Sequence, residues 1–287
     1  MSKREEGSLK DRTATVVVPA YNEEKGIEKV IRELKFLGNF EVIVVDDGST
    51  DGTYEAVQHM GVKVIRHDHN MGYGASIKTG IRNAKHETIV ITDADGTYPT
   101  EMIPELLQYS DEFDMVVGAR IGERVKVPLI RKPAKRVLSL LANYAVDYNI
   151  PDLNSGLRVF KKSIVERYFH ILPARFSFTT TITLVLLNDG YPVKYIPINY
   201  HKRVGASKIR SVDTLNFLLL LIRTTMYFNP LRFLLPVSVF LFLMAIGAMA
   251  YDIMLGRGLA DKSVLLFISS MLVMILGLLA DLIVKRS

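Results

Sequence analysis

The feature that most limits the possible folds is an alternation of short apolar runs with helical segments across residues 13–117. The clearest runs are residues 13–19, 40–45 and 88–92, which are rich in β-branched side chains. Runs that are apolar on both faces are typical of strands covered by helices on each side. The segments between them carry apolar residues at helical spacing. The alternation therefore predicts an α/β fold with a doubly wound, mostly parallel sheet.

Three of the predicted strands end in segments that are rich in acids or turn residues. These segments are residues 21–24, 46–51 and 93–95. In doubly wound sheets, ligands bind beyond the carboxyl ends of the strands. Three such endings on one sheet favour a shared site over three unrelated loops.

Asp93 and Asp95 follow the buried run 88–92 directly. In extended backbone, residues two apart point to the same side, so both carboxylates can reach one bound atom. Like charges at that separation repel unless a cation lies between them. Oxygen ligands suit Mg²⁺ or Mn²⁺. The alternative is a solvated Asp-Gly turn that ends a strand.

Composition excludes some sites and favours anionic partners. The chain has no cysteine, which excludes disulfides and thiolate metal sites. Its net charge of +6 fits phosphates or an anionic lipid surface. Basic residues cluster towards the apolar C-terminal segments and are not interleaved with aromatic residues, which argues against a nucleic-acid partner.

The C-terminal part of the chain has the length and composition of a membrane hairpin. We predict a flexible tail over residues 1–12, an α/β sheet domain over 13–210, an interfacial amphipathic helix over 211–230 and a hairpin over 231–287. The hairpin spans are expected at about 231–254 and 263–284, long enough to cross the hydrocarbon layer. Cations flank the hairpin, so the positive-inside rule predicts a cell-membrane protein with its sheet domain and both termini in the cytoplasm. The alternative is a pair of buried helices in a soluble protein.

Four motifs occur in order, and together they resemble one family. They are Pro19-Ala20-Tyr21-Asn22-Glu23, Asp46-Asp47-Gly48-Ser49-Thr50-Asp51, Asp93-Ala94-Asp95, and Asp152 with Ser155-Gly156. In this order they resemble an inverting family 2 glycosyltransferase, and most closely the polyprenyl-phosphate sugar synthases, the group of dolichol-phosphate mannose synthase. The resemblance covers roughly residues 13–210 and implies a GT-A fold.

The resemblance also implies roles for individual residues. A nucleotide-sugar donor would be bound by Pro19, Tyr21, Glu23, Asp46, Asp47, Asp93, Ala94 and Asp95. The divalent cation, Mg²⁺ or Mn²⁺, would be held by Asp93 and Asp95, with Thr97 as a third ligand. In many members of the group a glutamine occupies the position of Thr97. The catalytic set would be Asp93, Asp95, Arg120 and Asp152. The acceptor phosphate would be bound by Arg131, Lys132, Arg136, Arg203, Ser207 and Lys208.

The implied reaction is the transfer of a hexose from GDP-mannose, UDP-glucose or UDP-N-acetylglucosamine to polyprenyl or dolichyl phosphate. The acceptor phosphate is already ionised at neutral pH, since its second pKa is about 6, so we expect Asp152 to position groups rather than act as a base. Two alternatives remain: a transferase of the same fold that glycosylates another membrane lipid, and a non-catalytic membrane scaffold with a nucleotide pocket. The sugar, the base, the polyprenol length and the oligomeric state are left open.

Overall fold

The computed structural model describes residues 13–120, 140, 142–144, 146–175, 177–201, 222–223, 225–227, 229–256, 258 and 260–286. Seven strands in the described residues form one sheet: β1 (Thr15–Ala20), β2 (Glu41–Asp46), β3 (Lys63–Arg66), β4 (Thr88–Ile91), β5 (Met115–Ala119), β6 (Arg158–Lys161) and β7 (Val193–Pro197). The helices that accompany the sheet are α1 (Ile27–Leu37), α2 (Thr53–Gln58), α3 (Tyr73–Asn83), α4 (Ile103–Gln108), α5 (Lys162–Arg167) and α6 (Phe178–Asn188). A 3₁₀ turn, Thr100–Met102, leads into α4.

The strand order across the sheet is β3-β2-β1-β4-β6-β5-β7. Neighbouring strands are parallel except around β6, which runs antiparallel to both β4 and β5. The prediction of a mostly parallel, doubly wound sheet is therefore confirmed, with one reversed strand that the local pattern did not indicate.

Side chains that alternate along the strands fill a separate apolar core on each face of the sheet. Val16 and Val18 of β1 belong to the core that includes Ile31 of α1, whereas Val17 belongs to the core that includes Ile77 of α3. All five of these side chains are fully buried. Burial on both faces explains why the strands are apolar throughout and why their acidic residues occur only at the ends.

Two long apolar helices follow the sheet domain and pack against each other: α7 (Pro230–Met254) and α8 (Asp261–Arg286). At ~1.5 Å per residue, each is longer than the ~30 Å hydrocarbon layer of a bilayer. Their length and composition suit membrane spans, and most of their surface is not covered by the rest of the protein. They overlap the two predicted spans.

Polar contacts join α7 to α8. The hydroxyl of Ser263 donates to Asp252 Oδ2 over 2.6 Å close to the turn, and the hydroxyl of Ser238 donates to the carbonyl of Ser270 over 3.1 Å further along the helices. Each polar group is thereby satisfied within the pair, as an apolar solvent requires.

Arg232, in the first turn of α7, connects the hairpin to the sheet domain. Its guanidinium lies 3.2 Å from Asp147 Oδ1 and 4.9 Å from the centre of the Tyr144 ring, and the Tyr144 hydroxyl donates to its carbonyl over 2.9 Å. The first apolar helix therefore starts in direct contact with the segment that precedes β6. The predicted interfacial helix 211–230 lies mostly outside the described residues.

Candidate active site

The two acidic residues after β4 are held by hydrogen bonds from their neighbours. The hydroxyl of Tyr73 donates to Asp93 Oδ1 over 2.9 Å. Asp95, which is 7% exposed, accepts at Oδ1 from the backbone N–H of Thr97 at 3.1 Å and from its hydroxyl at 2.6 Å. Both carboxylates therefore sit on a fixed loop at the carboxyl edge of the sheet, and the Thr97 hydroxyl orients one of them.

Two glycines lie against this acidic loop from different parts of the chain. A Cβ placed on Gly26, just before α1, would lie 2.8 Å from the carbonyl oxygen of Ala94. A Cβ placed on Gly156, just before β6, would lie 2.9 Å from each carboxylate oxygen of Asp93. Such distances are shorter than van der Waals contact, so the loop is enclosed by backbone that comes too close for any side chain.

Asp93 and Asp95 offer the chemistry that a hard divalent cation requires. Their oxygens are the ligand type that Mg²⁺ and Mn²⁺ prefer, and Mg²⁺ is commonly held by one or two carboxylates together with substrate phosphates and water. In the described part of the chain, no group of three or more His, Asp or Glu side chains is arranged to hold a metal by itself. The pair therefore fits a cation that substrate oxygens help to coordinate.

Arg120 and Asp152 form a forked ion pair beside the acidic loop. Arg120 directly follows β5, and its Nε and Nη2 atoms donate to the two oxygens of Asp152 over 2.7 Å and 2.8 Å. The backbone N–H of Arg120 donates to Asp152 Oδ2 as well, at 3.0 Å. Two-pronged pairs of this kind are among the stronger polar contacts in proteins.

The ion pair shifts the pKa of both partners. Burial alone would raise the pKa of Asp152, but the hydrogen bonds and charge of Arg120 outweigh it and bring the pKa below its ordinary value. Burial likewise opposes the charge of Arg120, whereas the contacts with Asp152 raise the pKa of the guanidinium. Both groups are charged at neutral pH, and both oxygens of Asp152 are occupied by Arg120.

Two aromatic side chains that sequence reasoning missed link the ion pair to the acidic loop. The Arg120 guanidinium lies 5.4 Å from the centre of the Tyr200 ring, which meets the Tyr98 ring edge-on at 5.2 Å. The Tyr98 hydroxyl accepts the backbone N–H of Gly156 at 2.6 Å. Tyr98 is close in sequence to Asp95, but no spacing or periodicity distinguishes either tyrosine from a core residue.

The ends of β1 and β2 are joined through hydrogen bonds between their motifs. The backbone N–H of Asn22 donates to the hydroxyl of Ser49 at 3.0 Å, and that of Glu23 donates to the hydroxyl of Thr53 at 2.8 Å. Pro19 and Ala20, the last residues of β1, pair with Val45 and Asp46 of β2. The segment with Pro19, Tyr21 and Glu23 therefore lies next to the acidic segment after β2.

Neighbouring aspartates at the end of β2 have different surroundings. Asp46 is fully buried: its Oδ1 accepts the backbone N–H of Ser49 at 3.0 Å, whereas Oδ2 lies 3.1 Å from Arg66 Nε without an aligned hydrogen bond from any described residue. Asp47 accepts the backbone N–H groups of Met71 and Gly72 at 2.9 Å and 2.8 Å. The carboxylate of Asp47 thus fixes the loop before α3.

The residues predicted to bind the acceptor phosphate lie outside the described residues; they are Arg131, Lys132, Arg136, Arg203, Ser207 and Lys208. The described chain does fix where one of these segments begins. The backbone N–H of His201 donates to the carbonyl of Thr97 over 2.9 Å. The chain that continues to Arg203 therefore leaves from beside the acidic loop.

The sequence matches two known families along its length. Residues 15–169 match Glycosyl transferase family 2, and residues 229–285 match the GtrB C-terminal hairpin. The first match covers the strands and loops that carry the acidic residues, and the second covers α7 and α8.

Relatives and a solved structure agree with these matches. An uncharacterized protein of Methanocaldococcus jannaschii is 32% identical, over 64% of this chain and 79% of that protein. A UDP-N-acetylglucosamine–dolichyl-phosphate N-acetylglucosaminyltransferase of Methanococcus voltae is 30% identical, over 69% of this chain and 92% of that protein. Further relatives are named as dolichyl-phosphate or undecaprenyl-phosphate sugar transferases.

The fold is similar to that of glucosyl-3-phosphoglycerate synthase from Mycobacterium tuberculosis, solved with Mn²⁺, UDP and phosphoglyceric acid. The TM-score is 0.59 at 22% identity, over 76% of this chain and 82% of that chain. At this identity the likeness concerns the fold, and it confirms the expected GT-A-type architecture. On the match over residues 15–169, the chain belongs to glycosyl transferase family 2.

Proposed function

We propose that the chain is a membrane-bound inverting glycosyltransferase that moves a hexose from a nucleotide sugar to polyprenyl or dolichyl phosphate. The observation that carries this proposal is the meeting of the acidic loop, the Arg120–Asp152 pair and the start of a basic segment at one edge of the sheet. The same chain continues into an apolar hairpin, and its relatives are named for transfer to lipid phosphates.

In this proposal the donor is bound at the ends of β1, β2 and β4. Asp93 and Asp95 hold the diphosphate through Mg²⁺ or Mn²⁺, and Thr97 supports the site through its contact with Asp95. When bound, the cation would neutralise the charge that develops on the leaving nucleoside diphosphate. Base and ribose are assigned to Pro19, Tyr21, Glu23, Asp46 and Ala94, and Asp47 supports them by holding the loop before α3.

Asp46 supplies physical support for the nucleotide pocket. Its Oδ2 is a buried carboxylate oxygen that faces Arg66 Nε at 3.1 Å but accepts no aligned hydrogen bond from the described residues. A buried oxygen with spare capacity to accept favours a ligand that donates to it, as a hydroxyl or N–H of a nucleoside would. Asp47, whose oxygens are occupied by backbone N–H groups, acts on the loop around the pocket rather than on the nucleotide itself.

The acceptor is proposed to attack the anomeric carbon of the sugar through an oxygen of its own phosphate, which breaks the bond to the nucleoside diphosphate and releases that group. Arg131, Lys132, Arg136, Arg203, Ser207 and Lys208 are assigned to that phosphate. His201 is fixed next to the acidic loop through its hydrogen bond to Thr97, and Arg203 follows it two residues later in the sequence. Cations at this place offset the repulsion between the two anionic substrates.

Asp152 is assigned a positioning role. A general base needs a free carboxylate oxygen within reach of the proton that it removes. Both oxygens of Asp152 accept from Arg120, and the ionised acceptor phosphate has no proton to lose at neutral pH. Asp152 thus holds Arg120, which is proposed to contact a substrate phosphate.

Membrane attachment fits the acceptor. Pulling a polyprenyl chain out of the bilayer costs roughly 0.8 kcal/mol per CH₂, so the enzyme has to bind the acceptor phosphate at the membrane surface. The contacts of Arg232 with Tyr144 and Asp147 keep the sheet domain next to the start of α7. Basic residues are concentrated before and after the hairpin, and the positive-inside rule assigns that side to the cytoplasm. We therefore place the catalytic domain and both termini there.

Replacing Gly156 by alanine should weaken binding of Mn²⁺ and nucleoside diphosphate by about tenfold, the lower end of what changes next to metal ligands produce. The added methyl group would lie 2.9 Å from both oxygens of Asp93 and displace the carboxylate. Isothermal titration of the full chain in detergent measures the effect. Gly38→Ala is the matched control, because a Cβ there meets its nearest atom at 3.5 Å. Equal affinities in the two variants would contradict the role of Asp93.

The transfer assay tests the proposed function. Membranes that contain the full chain are incubated with Mg²⁺ or Mn²⁺ and, in turn, labelled GDP-mannose, UDP-glucose or UDP-N-acetylglucosamine. The acceptors are polyprenyl phosphate, the unphosphorylated polyprenol and diacylglycerol. We expect an acid-labile glycolipid that forms only with polyprenyl phosphate. A product on diacylglycerol would favour a transferase for another lipid, and no product with any donor would favour a non-catalytic scaffold.

A further inference from the structure

Gly72 is the residue before α3, and Tyr73 and Gly74 lie in the first turn of that helix. The proposed function assigns no role to this segment. Gly72 has φ of +104°, and a Cβ there would lie 2.7 Å from the carbonyl oxygen of Ala174. A Cβ on Gly74 would lie 2.2 Å from the carbonyl oxygen of Pro173. The backbone N–H of Ala75 donates to the Ala174 carbonyl at 2.7 Å. The two glycines therefore let the start of α3 press directly on backbone from another part of the chain.

Asp47 fixes the same turn from the other side. Its Oδ2 accepts the N–H of Gly72 at 2.8 Å, and its Oδ1 accepts the N–H of Met71 at 2.9 Å and lies 2.7 Å from His67 Nδ1. Asp47 is 3% exposed, so these contacts are shielded from water. The backbone that carries Tyr73 is thus fixed by β2 on one side and by the segment around Ala174 on the other.

Tyr73 extends from this fixed backbone to the acidic loop. Its ring packs against the apolar core between the sheet and α3, and its hydroxyl reaches Asp93 Oδ1 at 2.9 Å. On the opposite side of the contact, Gly156 lies against both oxygens of the same carboxylate. A carboxylate that accepts a hydrogen bond from a fixed donor and touches backbone has little freedom to rotate.

We propose that Tyr73 is a positioning residue for the divalent cation of the donor site: its hydroxyl holds the Asp93 carboxylate in the orientation that binds the metal. Asp47 contributes indirectly, because it fixes the loop that carries Tyr73. The inference rests on the proposed function, because it assumes a cation at Asp93 and Asp95. Hydrogen-bond donors that orient a metal ligand contribute about 10–100-fold to metal affinity.

Tyr73→Phe removes the donor and keeps the ring, and Tyr109→Phe is the matched control. The Tyr109 hydroxyl makes no hydrogen bond to a described residue, and its ring is also half-buried against the core. Mn²⁺ affinity of the full chain in detergent, with nucleoside diphosphate present, is measured by electron paramagnetic resonance of the free ion. We expect at least a tenfold higher Kd for Tyr73→Phe, an unchanged Kd for Tyr109→Phe, and unfolding temperatures of both variants close to that of the unmodified chain.

Asp47→Asn tests the link through the loop. Its amide cannot accept both backbone N–H groups, so Mn²⁺ affinity should fall in the same direction as in Tyr73→Phe. If Asp47 acts through Tyr73, the losses in the double variant will be less than additive. Raising the Mn²⁺ concentration should restore sugar transfer by Tyr73→Phe, which a merely structural defect would not allow.

The outcomes separate this inference from the proposed function. An unchanged Mn²⁺ Kd in Tyr73→Phe, while the unmodified chain transfers sugar, overturns the role of Tyr73 and leaves the function standing. A raised Kd in a chain that transfers no sugar supports the role of Tyr73 and counts against the function. A chain that binds no Mn²⁺ overturns both.

Discussion

Asp95→Asn is expected to lower sugar transfer about 10³-fold without unfolding the protein. The change removes one of the two charges proposed to hold the cation, whose electrostatic effect on a leaving diphosphate is worth several kcal/mol, and each ~1.4 kcal/mol is a factor of ten in rate. The asparagine carbonyl can still accept from the N–H and hydroxyl of Thr97, so the loop keeps its contacts. The assay compares initial rates at saturating donor over a range of Mg²⁺ or Mn²⁺ concentrations.

Glu101→Gln provides the control for loss of an acidic group near the loop. Glu101 is exposed and lies in the 3₁₀ turn that follows the acidic loop. Its neutralisation should leave the rate within about twofold of the unmodified rate, because water and salt screen an exposed charge. An Asp95→Asn variant that retains a tenth or more of the unmodified rate would refute the assignment of Asp95 as a metal ligand.

Breaking the Arg120–Asp152 pair is expected to have the second largest effect, on both stability and rate. Removing one member of a buried pair costs about 3–5 kcal/mol, because the other charge is left without a partner. The Arg120 side chain is 23% exposed and that of Asp152 is 9% exposed, so we expect about 3 kcal/mol for Asp152→Ala. Urea unfolding of the full chain in detergent measures it. Asp114→Asn breaks the more exposed pair with Lys161 and should cost no more than about 1 kcal/mol.

The rate effects of the same pair distinguish positioning from base catalysis. Arg120→Lys and Asp152→Asn should each lower the rate about 10²-fold, and the double variant should be no slower than the worse single variant, because both remove the same arrangement. Because the pKa of Asp152 is lowered, its carboxylate is already ionised at the pH where an ordinary carboxylate would titrate. It loses its charge only as pH falls through the depressed pKa. The acid limb of the pH–rate profile should therefore follow the acceptor phosphate, near pH 6, in all variants. A profile whose acid limb disappears in Asp152→Asn would identify Asp152 as the base.

Local patterns were sufficient for the strands that carry the site. β1, β2 and β4 are β-branched runs; β2 ends in Asp46, and Asp93 and Asp95 follow β4. Because these strands are parallel, their order in the sheet places Asp46, Asp93 and Asp95 at the same edge, as the sequence predicted. The two candidate membrane spans could also be predicted from the sequence, since length and lack of charge determine whether a helix can cross a bilayer.

Contacts between segments that lie far apart in the chain could not be predicted from local sequence patterns. The reversed direction of β6 depends on its partners β4 and β5, about 70 and 40 residues earlier in the chain, and a short apolar run is compatible with either direction. The assignment of Asp47 to the nucleotide pocket likewise rested on its motif, whereas its hydrogen bonds are made to residues more than twenty positions away. Tyr73, Tyr98 and Tyr200 are distinguished only by what their side chains contact, which no spacing reveals.

A structure of the full chain with Mn²⁺ and a nucleoside diphosphate provides the most direct measurement. We predict an anomalous Mn²⁺ signal with oxygens of Asp93, Asp95 and the diphosphate at about 2–2.5 Å, the ordinary range for oxygen ligands of such cations. A signal bound by other residues, or a diphosphate bound away from this loop, would contradict the proposal that the paired acids after β4 hold the donor.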